Sequence, residues 1–441
     1  MRRVSLVALT LAGGAAAQPA AAQDVAAVSE STLTATISQS IEADTNYNLE
    51  ADSPGTTYLG DTRIGLGLIQ QTDTQSLRFM LNTGIRALQE PDQDFEWVVA
   101  SPSLARFAYS QDFANAAFDI DVSAASQRID RLFLDNEPIF DDQGNPVLPD
   151  DVTLINDNTY QQRADIDTGF AIGTNSPSTL SFRVRASDID YTGDSPEDFV
   201  PRTGAEANVT WQLRFTPVLS SIVAAGYEYQ NADDDANTEI NNTEFDIGIV
   251  YDPSDDFSMT LGGGYANREE RTTDATGDRS TDTTPGIALR FLANYETDYL
   301  DFNLSTRYTT AAPTSRFSGD FQLAYELPRG QLTARAYQNY GLGSEGDDRR
   351  VTGIGLGYSL AVNQVSTLLF DFNAANSASA DDDTEDPDRS RLDFTAQYTR
   401  EFTDVVAASV GYTLTQSYED PDDATSNRFF FQIGRSFVTG F

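Results

Sequence analysis

The sequence predicts an all-β fold: a transmembrane, antiparallel, up-and-down β-barrel of about twenty strands, or about eighteen. Three observations predict it. Apolar and polar residues alternate with a period of two along most of the chain, which puts them on opposite faces of strands. The alternating arms run to about nine or ten residues, the length a tilted strand needs to cross a bilayer, whereas strands of soluble sheets usually run about 5–6. The joins between arms also alternate, tight turns with mostly longer stretches rich in Asp, Asn, Gly and Pro, as periplasmic turns alternate with outer loops.

The hairpin from Ile287 to Tyr308 shows the unit best. Ile287, Leu289, Phe291, Ala293 and Tyr295 share one face of the first arm, with Ala288, Arg290, Leu292 and Asn294 on the other. After Glu296-Thr297-Asp298, Leu300, Phe302, Leu304, Thr306 and Tyr308 alternate with Asp301, Asn303, Ser305 and Arg307. The first face suits lipid and the second a watery interior.

In chain order, the first strand starts near Thr32, with Leu33, Ala35, Ile37 and Ile41 on one face. Tyr58–Gln70 and Ser76–Leu88 meet at Thr72-Asp73-Thr74, and Trp97–Tyr109 and Ala116–Gln127 meet near Gln111-Asp112-Phe113. Gln162–Gly173 pairs with Leu180–Tyr191, Glu206–Phe215 with Leu219–Tyr229, and Phe245–Tyr251 with Phe257–Tyr265. Beyond the hairpin come Phe317–Leu327 and Gln331–Tyr340, Thr352–Leu360 and Thr367–Ala374, Leu392–Arg400 and Val405–Leu414, and the closing strand Phe429–Phe441. Asn231–Thr238, Ser377–Asp388 and Glu419–Asn427 read as outer loops.

The N-terminus reads as a secretory signal peptide over residues 1–22, leaving residues 23–441 as one barrel domain. Arg2 and Arg3 precede the apolar stretch Val4–Ala17, and Ala20-Ala21-Ala22 offers a small-residue cleavage site. The expected destination is the outer membrane of a Gram-negative bacterium, with lipid, lipopolysaccharide and the barrel-insertion machinery as partners.

Composition removes whole classes of chemistry. Net charge is −40, and all 28 basic residues are arginine, because the chain has no lysine, histidine or cysteine. So acidic a chain lacks the basic footprint of a nucleic-acid binder. There is no thiol nucleophile or thiolate metal site, no imidazole base or ligand, no Schiff-base lysine and no complete phosphate-binding P-loop. No catalytic residue, cofactor or metal site is assigned, and the chain reads as a non-enzyme. The acidic runs Asp233-Asp234-Asp235, Asp381-Asp382-Asp383 with Glu385 and Asp386, and Glu419-Asp420 with Asp422-Asp423 lack the spacing of a calcium loop and read as solvated surface.

Charges on the polar face nominate the interior. Asp119 and Asp121 on one strand and Asp165 and Asp167 on the next form an acidic patch, with Arg183 and Arg185 following. Arg290, Arg307 and Arg335 lie on later strands, and Arg316 just ahead of another. The eight residues Asp119, Asp121, Asp165, Asp167, Arg290, Arg307, Arg316 and Arg335 are the candidate pore lining, with the acidic and basic groups expected on opposite walls. The connection from Arg128 to Asn158 is the longest, and its Leu132, Phe133, Leu134, Ile139 and Phe140 are too apolar for a freely solvated loop. It is expected to fold inward as an eyelet.

At the C-terminus Phe429, Phe431, Ile433, Phe437 and Phe441 share one register, from which Arg435 and Thr439 depart. Either a bulge near Gly434 or an interfacial Arg435 accounts for the departure. With the signal peptide and the hairpins, this ending resembles a family of outer-membrane β-barrel porins, some of whose members accompany exopolysaccharide export. The resemblance carries over no functional residue. It implies a passive channel for small hydrophilic solutes. A conduit for exported polysaccharide and a structural or adhesive barrel with a plugged lumen are the alternatives.

Overall fold

Alternation with a period of two becomes one closed ladder. The structure, a computed structural model, describes residues 30–99, 103–128, 139–140, 146–147, 159–193, 199–234, 237–273, 278–312, 315–342, 348–380, 388–419 and 422–440. Its strands are β1 (Glu30–Asp44), β2 (Thr57–Gln71), β3 (Gln75–Gln89), β4 (Glu96–Val99), β5 (Ser103–Phe113), β6 (Ala116–Arg128), β7 (Ile139–Phe140) and β8 (Pro146–Val147). Next come β9 (Tyr160–Ile172), β10 (Ser178–Thr192), β11 (Arg202–Thr216), β12 (Leu219–Ala232), β13 (Glu239–Ser254), β14 (Phe257–Thr273), β15 (Arg279–Glu296) and β16 (Leu300–Thr309). The last are β17 (Arg316–Leu327), β18 (Gly330–Leu342), β19 (Asp348–Asn363), β20 (Ser366–Ser379), β21 (Arg389–Thr403), β22 (Val406–Glu419) and β23 (Asp422–Gly440).

Twenty of these strands pair antiparallel with their neighbours in chain order, and β23 returns to β1 from Thr32↔Gly440 to Asp44↔Arg428. The sheet therefore has no free edge, which a strand structure in hydrocarbon requires. Short β4 is annexed to β3, and β7 and β8 form a separate two-stranded ribbon. Both ends of the described chain lie on the side of the tight turns, the periplasmic side of such barrels.

The two faces differ as a bilayer demands. On β15, Ile287 and Leu289 are exposed while Ala288 between them is buried at 1%. From Phe257 to Tyr265, Ile287 to Tyr295 and Leu300 to Tyr308, three consecutive strands repeat the same outward apolar span. Eight residue steps cover about 27 Å along a strand, or about 20 Å at a tilt of about 40°, close to the apolar band of a bacterial outer membrane. Exposed aromatics rim the band: Phe113, Phe215, Tyr299 and Phe402 near the turns, and Tyr58, Trp97, Tyr265, Phe317 and Phe429 toward the other end. A closed barrel with an apolar exterior and aromatic girdles is an outer-membrane protein.

Several boundaries differ from the expectation. Every expected strand is present, but many run further outward: β14 continues eight residues past Tyr265 to Thr273, and β15 begins at Arg279. Above the bilayer neither face meets lipid, so alternation stops while pairing continues. Parts of the expected outer loops are strand: Ser377 to Ser379 belong to β20, and Asp422 onward to β23. Trp97–Tyr109 is two pieces on one partner. Val99↔Ile85 to Leu104↔Asn82 spans five residue steps against three on β3, an insertion of two that keeps Trp97 and Phe107 on the same face. The register runs unbroken past Gly434, so there is no bulge, and Arg435 stays on the outward face with its guanidinium 4.4 Å above the Phe437 ring. The signal-peptide residues and Phe441 lie outside the described residues, as does most of the expected eyelet apart from β7 and β8.

Leu304 sits between Ala293 and Phe321 on the outward face, whereas Asn303 beside it donates to Asp301 on the inner face. Leu304→Arg should lower folding stability in lipid vesicles by about 2–4 kcal/mol if it lies near the midplane. Asn303→Arg should leave the folded fraction near that of the parent, and equal loss from both would refute the register. A second test concerns space. A Cβ on Gly264 would collide with the Phe245 carbonyl and the Asp246 carboxylate, so Gly264→Val should reduce the yield of folded barrel, read as the heat-modifiable band on a gel.

Candidate functional site

The concave wall is built from a repeated pairing of one large inward residue with a glycine directly opposite. Asp119 lies on Gly169, Asn208 on Gly226, Asp246 on Gly264, Tyr337 on Gly353 and Phe430 on Gly411. In each pair a Cβ on the glycine would meet the partner's side chain, so glycine leaves room for that side chain to lie along the wall instead of toward the axis.

The four aspartates nominated from sequence lie together on β6 and β9, with Asp121 directly opposite Asp167 and Ser123 opposite Asp165. They do not form a bare acidic patch. Arg106 on β5 reaches Asp121 at 2.6 Å, and Arg163 pairs with Asp165 at 2.9 Å. Asp167 takes two guanidiniums, Arg183 at 2.8 Å and Arg185 at 2.5 Å. Arg183 also stands 4.0 Å from Asp119, and Arg185 3.6 Å from Glu206 on β11. Opposite charges thus interleave over five neighbouring strands, β5, β6, β9, β10 and β11.

The second sector follows the same rule over a longer reach. Arg290 on β15 and Arg307 on β16 are direct cross-strand partners, a like-charged arrangement that is destabilising alone. Both turn toward β13: Arg290 reaches Asp246 at 3.0 Å and Glu244 at 3.7 Å, and Arg307 reaches Glu244 at 2.6 Å. Between them β14 presents Gly262, Gly264 and Ala266 on this face, small enough for the guanidinium arms to pass over. Arg335 on β18 holds Asp320 on β17 at 2.8 Å. Arg316 is buried at the outer end of β17 with its guanidinium 5.2 Å from the Tyr340 ring. The charges thus do not separate into an acidic and a basic wall; the four aspartates and Arg290, Arg307 and Arg335 each meet an opposite charge within their own sector.

Sequence reading missed the partners Glu206, Glu244, Asp246 and Asp320. Glu244 and Asp246 flank Phe245 with the parity of lumen residues, and that signal was readable. What alternation does not give is which carboxylate three strands away an arginine will find.

Toward the outer end the wall is drier. Arg86 and Asp61 form a bidentate pair at 2.7 Å for both contacts and are 1% and 2% exposed. Arg391 holds Asp393 at 3.2 Å, and Thr415 donates to the same aspartate at 2.7 Å. Of the acidic loop residues, Asp234 caps its own turn, accepting from the Thr238 amide at 2.8 Å and hydroxyl at 2.7 Å. The Asp381 run lies outside the described residues. Among the described residues no group of three or more acidic side chains is placed to hold a metal ion.

No protein-family model matches the chain, and no curated protein does. Solved structures similar to it include the ferric-catecholate import receptor Fiu from E. coli K12, at TM-score 0.48 and 10% identity over 93% of this chain and 82% of that one. The FrpB iron transporter from Neisseria meningitidis is similar at TM-score 0.48 and 8% identity over 93% and 81%. OccK7 (OpdD) from Pseudomonas aeruginosa is similar at TM-score 0.37 and 10% identity over 93% and 100%. At this level the likeness assigns no residue and no solute.

Proposed function

We propose that the chain is a passive channel for small hydrophilic solutes in the outer membrane of a Gram-negative bacterium, exported by a cleaved signal peptide over residues 1–22. One observation carries the reading. The guanidiniums of Arg183, Arg185, Arg290 and Arg307 are ion-paired along the concave wall, yet they remain 36%, 38%, 35% and 39% exposed. Charges that keep a third of their surface open on the inside of a closed barrel face water, not a packed core. Asp119, Asp121, Asp165, Asp167, Arg290, Arg307, Arg316 and Arg335 are proposed pore-lining residues. The wall carries out no bond chemistry in this reading; it keeps a polar path hydrated.

A conduit for exported polysaccharide is the second reading. It rests on the resemblance to porins that accompany such export, and it is favoured by the way Asp119, Asn208 and Phe430 lie flat over glycines, which clears a path for a long chain.

Reconstituted barrels should conduct in planar bilayers, and a silent bilayer would refute both readings. Current blocked by soluble oligosaccharide, but not by small salts and sugars, would favour the conduit. The wild-type channel should prefer cations weakly, and the preference should fade as salt rises, because its loop carboxylates act over about 8–10 Å near physiological salt.

Point changes should tip the balance in opposite directions. Arg183→Gln removes a positive charge from beside Asp119 and Asp167, so the reversal potential at low salt should move toward cations. Glu244→Gln removes the carboxylate that Arg290 and Arg307 share, so it should move toward anions. Shifts of the same sign would show that these groups do not line the path.

A further inference from the structure

The segment joining β1 to β2, residues 45–56, turns Tyr47 inward at the outer end of the barrel. Tyr47 packs against Leu59 of β2 and Leu88 of β3 in a buried cluster, and the three are 3%, 2% and 3% exposed. Leu59 and Leu88 share the inward parity of Asp61 and Arg86, and Arg86 Nη1 donates to the Tyr47 hydroxyl at 3.3 Å. Tyr47 therefore lies on the concave side. It helps shield an Arg–Asp pair that is far drier than the chemically similar pairs at mid-height.

The segment is fastened on both flanks. On one, the Thr45 amide donates to the Asn427 carbonyl at 3.1 Å, the Asn427 amide donates to Thr45 Oγ1 at 2.9 Å, and Asn46 Nδ2 donates to the Thr425 carbonyl at 3.3 Å. On the other is Arg86 of β3. Within the segment the Asn46 side chain closes the turn, donating to the Glu50 carbonyl at 2.7 Å and accepting from the Glu50 amide at 3.0 Å. Leu49 adopts the left-handed region at φ 52° while buried at 8%. That conformation costs a residue with a β-carbon about 1–2 kcal/mol, so it persists only where surrounding contacts fix it. This is a seated loop, with Ala51, Asp52, Ser53 and Pro54 left exposed at its tip.

Other connections lean onto the wall from other sectors. Phe199 stacks on the inward Tyr191 with ring centroids 5.0 Å apart, and Ala311 packs against the inward Ala266 and Ala288. In the closed ring of twenty strands β14 and β15 stand roughly opposite the β1–β3 sector, and β10 about a quarter turn from it.

We propose that the 45–56 segment, seated by Tyr47, is the size-selecting element of the outer mouth, so that its exposed tip stands in the solute path. The proposal rests on the channel reading above. Because the chain has no cysteine, single cysteines report position directly. Asp52→Cys channels, recorded in bilayers, receive methanethiosulfonate reagents of increasing bulk from the outer side, with Thr281→Cys, exposed on the outward parity of β15, as the control.

The expected result is a stepwise loss of single-channel current that deepens with reagent size at position 52 and is absent at position 281. Tyr47→Ala should also raise the size limit for neutral sugars in liposome swelling. Labelling of Asp52→Cys that is confirmed by mass but leaves the current unchanged would overturn the proposal while leaving the channel intact. Absence of any wild-type current would instead overturn the channel reading.

Discussion

Inside a bilayer no water is available to a backbone amide, and an unpaired one costs several kcal/mol. That constraint forces β23 back onto β1, and the rest of the architecture depends on the closure. Once the ring is sealed from Thr32↔Gly440 to Asp44↔Arg428, parity on one strand fixes parity on all others. Ile37 outward implies Arg63, Arg86 and Asp121 inward, strand by strand. A slip of one residue at any ladder would reverse every side chain beyond it, placing arginines in lipid. The two-residue insertion between β4 and β5 is tolerated because an even number preserves the face.

How much of this could be read from sequence follows from where lipid acts. Between Phe257 and Tyr265, or Leu300 and Tyr308, hydrocarbon demands an apolar residue at every second position, and there the strands were legible. Past Tyr265 the outward positions are Asn267, Glu269 and Arg271, and pairing of β14 with β15 continues on hydrogen bonds that leave little trace in the side chains. The inward placement of Asp119 or Arg290 was equally legible, because a charge has only one tolerable face. Their compensation was not. Arg307 finds Glu244 from three strands away because Gly262, Gly264 and Ala266 keep β14, one of the two strands between, low, a relation that appears only when the ladder is assembled. The inward fold of residues 45–56 was missed for a similar reason: Tyr47 among Asp, Asn and Glu has no periodicity, and its seat on Leu59 and Leu88 is a tertiary fact.

The charge lattice also explains how a chain of net charge −40 keeps its interior workable. A carboxylate row alone on β6 and β9 would repel itself across a ladder whose opposed residues lie about 4.5–5.5 Å apart. Arg106, Arg163, Arg183 and Arg185 relieve that repulsion where it arises. Arginine suits the task throughout. Its flat fork lies against a wall and holds two acceptors at once, as Arg86 does with Asp61, which lysine's point charge does not.

Height along the barrel then separates two uses of one motif. Arg183 with Asp167 and Arg86 with Asp61 are both inward arginine–aspartate pairs on adjacent strands, yet the first guanidinium is 36% exposed and the second 1%. The chemistry is the same and only the cover differs. A half-wet pair contributes little, about 0–1 kcal/mol, and can be rearranged without harm to the fold. A dry pair depends on its partner and its cover together, because breaking it leaves a buried charge at a cost of about 3–5 kcal/mol. Tyr47 is thus part of what keeps Arg86 and Asp61 paired as well as the anchor of the 45–56 segment. Unseating the segment would admit water to the pair, so if the segment sets the size limit as proposed, that limit and the stability of the β1–β3 seam depend on the same contacts.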